Sequence, residues 1–172
     1  MEKKILFSAE DIQTRVESLA IEMSYRDNPN NEPIVVICVL NGAFMFFADI
    51  VKHLKVNCEV DFMQTKSYIE GKQQEEVKLI KDATVSLKGK RVYVIDDIWD
   101  SGNTMRTLVN HLKHYDPSSI TPVVLFKKEF VEEESLMWGF ELATNLFIWG
   151  YGLDREDGYG RNYSCVFGKE VN

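Results

Sequence analysis

The fold is decided by one segment, Val92-Tyr93-Val94-Ile95-Asp96-Asp97-Ile98-Trp99-Asp100-Ser101-Gly102-Asn103-Thr104. Its first four residues are β-branched or aromatic, which predicts a buried strand. Two adjacent carboxylates end that strand, and the short segment 100–104, which we call the phosphate loop, leads into a helical pattern. Ligands of open α/β sheets bind where strand ends meet helix N-termini. The segment therefore predicts a site for a sugar phosphate with a divalent metal.

The composition is that of an ordinary globular protein. The chain has 172 residues, of which 45% are hydrophobic and 27% charged, and we expect residues 1–172 to form a single domain. Its net charge of −7 argues against binding nucleic acid, which needs basic side chains to neutralise phosphates. No apolar run approaches the roughly 18 residues of a membrane span, so we expect a cytoplasmic protein with no membrane partner.

The rest of the chain alternates between helical and strand patterns. Helices are predicted at 9–25, 43–54 and 104–115, and strands at 34–40, 59–68, 77–80, 91–95, 120–126, 146–149 and 165–167. Polar residues 69–76 are expected to form an exposed loop. This alternation predicts an α/β fold with a mainly parallel central sheet that is flanked by helices.

The acidic pair allows three interpretations. Asp96 and Asp97 are either a solvated strand end, metal ligands, or acceptors for sugar hydroxyls. The phosphate loop favours the last two, because backbone N–H groups at a helix N-terminus bind phosphate and Gly102 lets the backbone come close. From its position alone, Asp100 could act as the N-cap of the helix that follows.

The segment 92–104 resembles the phosphoribosyl pyrophosphate (PRPP) signature of the type I phosphoribosyltransferases, with Tyr93 and Trp99 where small aliphatic residues are more common. From about residue 34 to 167 the chain is similar to the hypoxanthine-guanine members. The similarity is carried by Leu40–Asp49, Asp61-Phe62 with Lys66-Ser67-Tyr68, Lys128, Phe147–Asp154 and Arg161.

The resemblance implies a type I phosphoribosyltransferase fold with a small hood region. It also implies purine salvage, in which the 5-phosphoribosyl group of PRPP is transferred with Mg²⁺ to hypoxanthine or guanine, giving IMP or GMP and pyrophosphate. The implied site residues are Asp100 for catalysis; Asp96, Asp97, Asp100, Ser101, Gly102, Asn103, Thr104, Asn41, Gly42 and Arg161 for PRPP and phosphate; Lys128, Phe147 and Ile148 for the purine; Asp96, Asp97 and Asp154 for the metal; and Lys66, Ser67 and Tyr68 for a lid.

The sequence departs from the family at two positions near the implied pyrophosphate site. Asn41 stands where a basic residue is common, and the interval from Asp154 to Arg161 is one residue longer than usual. Taken alone, Lys128 beside Lys127 would be interpreted as a solvated lysine, and only the resemblance assigns it to the base.

Several other functions and the assembly remain open at this stage. The alternatives are a xanthine-preferring transferase, an RNA-binding nucleotide sensor of the same fold, which a net charge of −7 disfavours, and a receiver-type signalling domain, which leaves the phosphate loop unexplained. The resemblance also implies a homodimer or homotetramer. The apolar run Phe44-Met45-Phe46-Phe47 is the predicted interface.

Overall fold

The computed structural model describes residues 4–70 and 74–171. In chain order the elements are β1 (Lys4–Phe7), α1 (Ala9–Tyr25), β2 (Ile34–Leu40), α2 (Phe44–His53), β3 (Cys58–Glu70), β4 (Gln74–Lys81), β5 (Arg91–Trp99), α3 (Asn103–Leu112) with a 3-10 turn (Lys113–Tyr115), β6 (Ser119–Lys128), β7 (Met137–Leu142), β8 (Leu146–Trp149) and β9 (Val166–Glu170). None of the helices in these ranges is long and apolar enough to cross a membrane.

The central sheet has the order β4-β3-β2-β5-β6-β7, and every neighbouring pair is parallel except β3 with β4. This confirms the predicted, mainly parallel α/β sheet. The chain moves from β2 to β3 on one side and then returns to place β5 on the other side of β2. Such a reversal opens a crevice at the carboxyl ends of the two strands. The crevice lies between β2 and β5.

Helices cover both faces of this sheet, as predicted. One core contains buried residues of α1 and α2 together with Val36, Cys38 and Ile95. The other contains Val35 and Val94 with the buried face of α3. Helix α1 begins with a capping box, in which Ser8 and Asp11 exchange hydrogen bonds. The two cores fix the sheet between helices and leave its carboxyl edge free for a site.

A second sheet of three antiparallel strands, in the order β1-β9-β8, forms the expected hood. Strands β1 and β7 were not predicted from the sequence. Strand β1 has only four residues, and β7 contains Gly139, a residue that lowers strand propensity. Gly139 is required there because a Cβ would lie 3.0 Å from Leu125 Cδ1 and would overlap the carbonyl oxygen of Leu125.

Two predicted boundaries were wrong. Strand β5 continues to Trp99, so Asp96 and Asp97 lie within the strand and not after its end. Residues 69–76 are not simply an exposed loop, because Ile69 and Glu70 end β3 and residues 74–76 begin β4. Residues 71–73 lie outside the described ranges. These three strands run further than predicted because hydrogen bonding to a neighbouring strand extends them past their apolar residues.

Asp61 is a buried carboxylate that fixes the chain after β4 to strand β3. It accepts hydrogen bonds from the backbone N–H groups of Thr84, Phe62 and Val85 at 2.5, 2.8 and 3.1 Å, and from Lys81 Nζ at 3.3 Å. Burial alone would raise its pKa, but these hydrogen bonds outweigh burial and lower the pKa to about 2. The ionised form of Asp61 therefore stabilises the folded protein.

Replacing Asp61 with Asn should lower the free energy of unfolding at pH 7 by about 2–4 kcal/mol, because the amide cannot satisfy every donor around it. Since the folded pKa of about 2 lies below the ordinary value of 3.8, the contribution is complete above pH 4 and is lost as the pH falls towards 2. Urea unfolding of both proteins between pH 7 and pH 2.5 measures this. A difference that does not shrink at low pH would contradict the assignment.

Candidate active site

Three segments converge at the carboxyl edge of the central sheet. Residues 41–43 after β2, which we call the first loop, touch β5 closely. A Cβ on Gly42 would lie 2.7 Å from Asp97 Cγ. The segment after β8 touches the same loop, because a Cβ on Gly152 would overlap the carbonyl oxygen of Gly42. Gly152 also has φ +99°, which disfavours other residues. The crevice therefore brings together the acidic pair, the first loop and the segment before Asp154.

The acidic pair carries an electrostatic cost. Burial and the charge of Asp97 raise the pKa of Asp96 well above its ordinary value. Burial also raises the pKa of Asp97, although hydrogen bonds such as that from the Ile98 backbone N–H and the positive charge of Arg161 oppose the rise. Burial and these two carboxylates raise the pKa of Cys38 to about 12, so its thiol is neutral. A cation or a pair of hydroxyl donors would stabilise both carboxylates.

The phosphate loop leads into a helix N-terminus that has no side-chain cap. Helix α3 begins at Asn103, and its N-cap is Gly102 with φ +81° and no side-chain capping bond. Ser101 and Asn103 are exposed, and Thr104 is half-buried. A helix N-terminus with free N–H groups and its dipole attracts phosphate. The geometry required by the sequence prediction is therefore present in residues 101–104.

Asp100 is an exposed residue that does not cap helix α3. The capping interpretation allowed by the sequence is therefore wrong, because Gly102 occupies the N-cap position. Strand pairing matches Trp99 with Lys127, so Asp100 and Lys128 each follow a paired residue at the carboxyl edge of the sheet. The carboxylate is thus available for chemistry beside the crevice.

Lys128 is a buried lysine, not the solvated residue that its position alone suggested. Its Nζ donates to the backbone carbonyls of Ala143, Thr144 and Leu146 at 3.3, 3.1 and 2.7 Å. Lys127 is buried as well, with Nζ 2.6 Å from Glu141 Oε2. The three carbonyls hold the Lys128 ammonium against the chain segment that enters β8.

Phe147 and Ile148 face opposite sides of β8. Ile148 is buried in the core beneath the hood, whereas Phe147 is half-buried. The Phe147 ring lies 6.2 Å from that of Trp149, and Lys169 Nζ is 5.3 Å from its centroid. The aromatic face of Phe147 therefore belongs to the surface of the hood, next to the segment held by Lys128.

Asp154 and Arg161 form an ion pair. Arg161 Nη2 is 2.6 Å from Asp154 Oδ2, and Nη1 donates to the Gly152 carbonyl at 2.6 Å. The chain between them turns back through a hydrogen bond from Arg155 N to Tyr159 O. Arg161 therefore faces the crevice despite the longer interval, and its charge acts on Asp97.

The predicted lid residues lie on a hairpin beside the crevice. Strand β3 pairs with β2 as far as Gln64, the partner of Leu40, and then continues beyond the sheet edge to Glu70. Lys66, Ser67 and Tyr68 lie on this projecting part, where the backbone pairs with β4. Asp61, which the resemblance groups with them, lies at the base of the hairpin and has the structural role described above.

Three residues around the site were not singled out for function from the sequence. Arg106 Nη1 donates to the Ser101 carbonyl at 2.9 Å and so holds the phosphate loop. Tyr151 donates to Asp49 Oδ2 at 2.7 Å and ties the segment before Asp154 to helix α2. Trp99 lies beneath Gly102. Only Arg106, one turn after the loop, could have been suspected from helical spacing.

The described residues do not bring three potential metal-binding side chains (His, Cys, Asp or Glu) together. Instead, the backbone of the first loop lies against Asp97 of the acidic pair, and Arg161 pairs with Asp154. Such a site supplies a few hard oxygen ligands and leaves others to a ligand or to water.

Comparison with known proteins identifies the family. The phosphoribosyl transferase domain family matches residues 6–156. The hypoxanthine-guanine phosphoribosyltransferase of Aquifex aeolicus is 41% identical over 95% of this chain and 93% of its own, and that of Streptococcus thermophilus is 38% identical over 95% and 91%. The crystal structure of a Bacillus anthracis hypoxanthine-guanine phosphoribosyltransferase superimposes with a TM-score of 0.85 at 36% identity, covering 100% of both chains. The chain belongs to the phosphoribosyltransferase family.

Proposed function

We propose that the protein is a purine-salvage enzyme that transfers the 5-phosphoribosyl group of PRPP to hypoxanthine or guanine. The products are IMP or GMP and pyrophosphate. The observation that carries this proposal is the convergence of the acidic pair, the phosphate loop and buried Lys128 on one edge of the sheet. The relatives named above, all hypoxanthine-guanine phosphoribosyltransferases, support the same activity.

The phosphoribosyl group fits the end of β5. Ser101, Gly102, Asn103 and Thr104 would receive the 5′-phosphate on their backbone N–H groups and hydroxyls. Asp96 and Asp97 would accept hydrogen bonds from the ribose 2′- and 3′-hydroxyls. Burial raises the pKa of both carboxylates and so disfavours their charged form, which hydrogen bonds from ligand hydroxyls would stabilise.

Magnesium fits the same residues. Asp96, Asp97 and Asp154 would contribute carboxylate oxygens, the hard ligands that Mg²⁺ prefers, but the described residues do not gather the three into one set, so pyrophosphate oxygens and water would supply most of the coordination. When bound, the ion neutralises negative charge on the pyrophosphate leaving group. Backbone N–H groups at Asn41 and Gly42, together with the guanidinium of Arg161, would hold the remaining pyrophosphate oxygens.

The base fits between the hood and the end of β6. Phe147 would stack on the purine, and the backbone near Ile148 would accept hydrogen bonds from the base edge. When the base binds, the Lys128 ammonium would give up one of its three carbonyl hydrogen bonds and donate instead to the oxygen at position 6, which hypoxanthine and guanine share. Adenine carries an amino group there, which is itself a donor, so the ammonium would reject it.

In the reaction, the bond from the anomeric carbon to pyrophosphate breaks and a bond to the purine nitrogen forms. Asp100 would accept the proton that the base releases at N7, and would return it in the reverse direction. Lys66, Ser67 and Tyr68 would cover the reacting centre and exclude water that would otherwise capture the oxocarbenium-like ribose.

Location in the cytoplasm remains a prediction.

The proposal is tested by incubating the protein with PRPP, Mg²⁺ and each of hypoxanthine, guanine, xanthine, adenine and uracil, and following nucleotide formation. We expect IMP and GMP, with little or no product from adenine and uracil. Product from xanthine alone would favour the xanthine-preferring alternative. No nucleotide from any purine would contradict the proposed function.

We also infer that the protein assembles through the face formed by α2 and β3. Phe44 is 43% exposed and Phe62 is 39% exposed, which is high for large apolar side chains. Phe47, one turn after Phe44, is buried and packs against Phe62 with ring centroids 5.4 Å apart, so α2 and β3 bring the exposed rings of Phe44 and Phe62 to one face. Such a surface is typical of a protein interface.

Size-exclusion chromatography with light scattering should therefore give the mass of a dimer or tetramer. The Phe44→Glu variant should shift towards the monomer, because a carboxylate would be buried without a partner. Phe130→Glu is the matched control, since Phe130 is exposed elsewhere, in the turn after β6, and should leave the mass unchanged. A monomeric wild-type protein would contradict this inference.

A further inference from the structure

Trp99, the last residue of β5, carries an unused hydrogen-bond donor. The residue is only 3% exposed, and its Nε1 has no hydrogen-bond partner among the residues that the structure describes. Burying an N–H group without an acceptor costs free energy, and indole nitrogens in protein interiors usually have one. The missing acceptor therefore needs an explanation.

The donor edge of the indole faces the phosphate loop. A Cβ on Gly102 would overlap Trp99 Nε1 and would lie 2.8 Å from Cε2. Gly102 is the N-cap of α3, so the N–H group of Trp99 lies beside the helix N-terminus that is proposed to receive the 5′-phosphate. An additional donor there would increase the attraction for an anion.

Two carbonyls of the loop accept hydrogen bonds from Arg106. The Ser101 carbonyl accepts a hydrogen bond from Arg106 Nη1, and the Gly102 carbonyl accepts one from the Arg106 backbone N–H, each at 2.9 Å. The Arg106 guanidinium also lies over the indole, with Cζ 5.5 Å from the ring centroid, which fixes the ring. Neither carbonyl accepts a hydrogen bond from Trp99, so a bound anion would satisfy the N–H group that the described residues leave without a partner.

We propose that Trp99 is a phosphate-binding residue of this enzyme and that its indole N–H donates to an oxygen of the substrate 5′-phosphate. The inference rests on the proposed function, because it assumes a phosphoribosyl ligand at the loop. A phosphate monoester supplies the acceptor that the protein lacks. The small aliphatic residues that are more common at this position have no donor to offer, so the contact is a feature of this chain.

Indole N–H resonances test the contact in the wild-type protein. With ¹⁵N-labelled tryptophan, the Trp99 signal is assigned as the one missing from the Trp99→Phe variant, and the Trp138 signal from Trp138→Phe. On titration with ribose 5-phosphate we expect the Trp99 indole proton to move downfield and to exchange more slowly with water. The partly exposed Trp138 packs against Lys127 on β6 and should not respond.

Affinity provides the second measurement. Calorimetry should show that Trp99→Phe weakens ribose 5-phosphate binding by about 10- to 100-fold, the usual value of a hydrogen bond to a charged group. Trp138→Phe removes the same group elsewhere and should bind normally. An unchanged affinity in Trp99→Phe, or a Trp99 signal that stays in place while the wild type binds, would overturn the inference. A wild type that binds neither ribose 5-phosphate nor PRPP would instead overturn the proposed function, and this inference with it.

Discussion

Replacing Asp100 with Asn should lower kcat by about 100- to 10,000-fold, the usual contribution of a general base. The dissociation constant for PRPP should change only a few fold. Asn has the same shape as Asp but cannot accept a proton, and Asp100 is exposed and does not cap helix α3, so the fold should tolerate the change. Steady-state kinetics with hypoxanthine, together with calorimetric binding of PRPP, would measure both effects.

Asp116→Asn is the matched control for this experiment. Asp116 is also an exposed aspartate, but it lies in the turn at the opposite end of α3, where its φ of +51° suits asparagine equally well. Its kcat should be that of the wild type. A parallel loss of PRPP binding and turnover in Asp100→Asn would show that Asp100 holds the substrate without handling the proton.

Replacing Gly42 with Ala should lower kcat/KM by about 100-fold or more. The new methyl group would lie 2.7 Å from Asp97 Cγ, so the carboxylate or the first loop must move. Displacing a catalytic group by about 1 Å commonly costs two orders of magnitude in rate. The same overlap should destabilise the protein by about 1–3 kcal/mol, measurable as a lower midpoint in thermal unfolding.

A double-mutant cycle with Asp97→Ala separates the clash from a general effect of alanine at position 42. Without the Asp97 carboxylate, the nearest remaining atom of that side chain is Cβ at 3.5 Å, an ordinary contact. Gly42→Ala should therefore cost little stability in the Asp97→Ala background. An equal cost in both backgrounds would show that the loop after β2 and strand β5 do not touch as described.

The central strand and its loop were predictable because each residue there carries local information. The apolar run before Asp96 predicts a buried strand, and the pattern after Gly102 predicts a helix, and both predictions agree with the structure. The capping pair Ser8 and Asp11 likewise placed the start of α1 correctly. Local signals of this kind do not depend on which distant segment packs against them.

The remaining features depend on tertiary contacts that no local pattern reveals. The burial of Lys128 arises from three carbonyls that follow it by 15 to 18 positions. The anchoring of Tyr151 by Asp49 spans 102 positions. Whether Asp100 caps α3 was decided by the left-handed φ of Gly102, and the sequence allowed either outcome. Such contacts explain why the site was assigned by resemblance and not by spacing alone.

The most direct test is a crystal structure of the protein with IMP, pyrophosphate and Mg²⁺. The account predicts the 5′-phosphate on residues 101–104, the ribose hydroxyls at Asp96 and Asp97, the base N7 beside Asp100, and Lys128 Nζ within about 3.2 Å of the base oxygen. A nucleotide whose phosphate lies away from the loop, or whose base oxygen does not face Lys128, would contradict it.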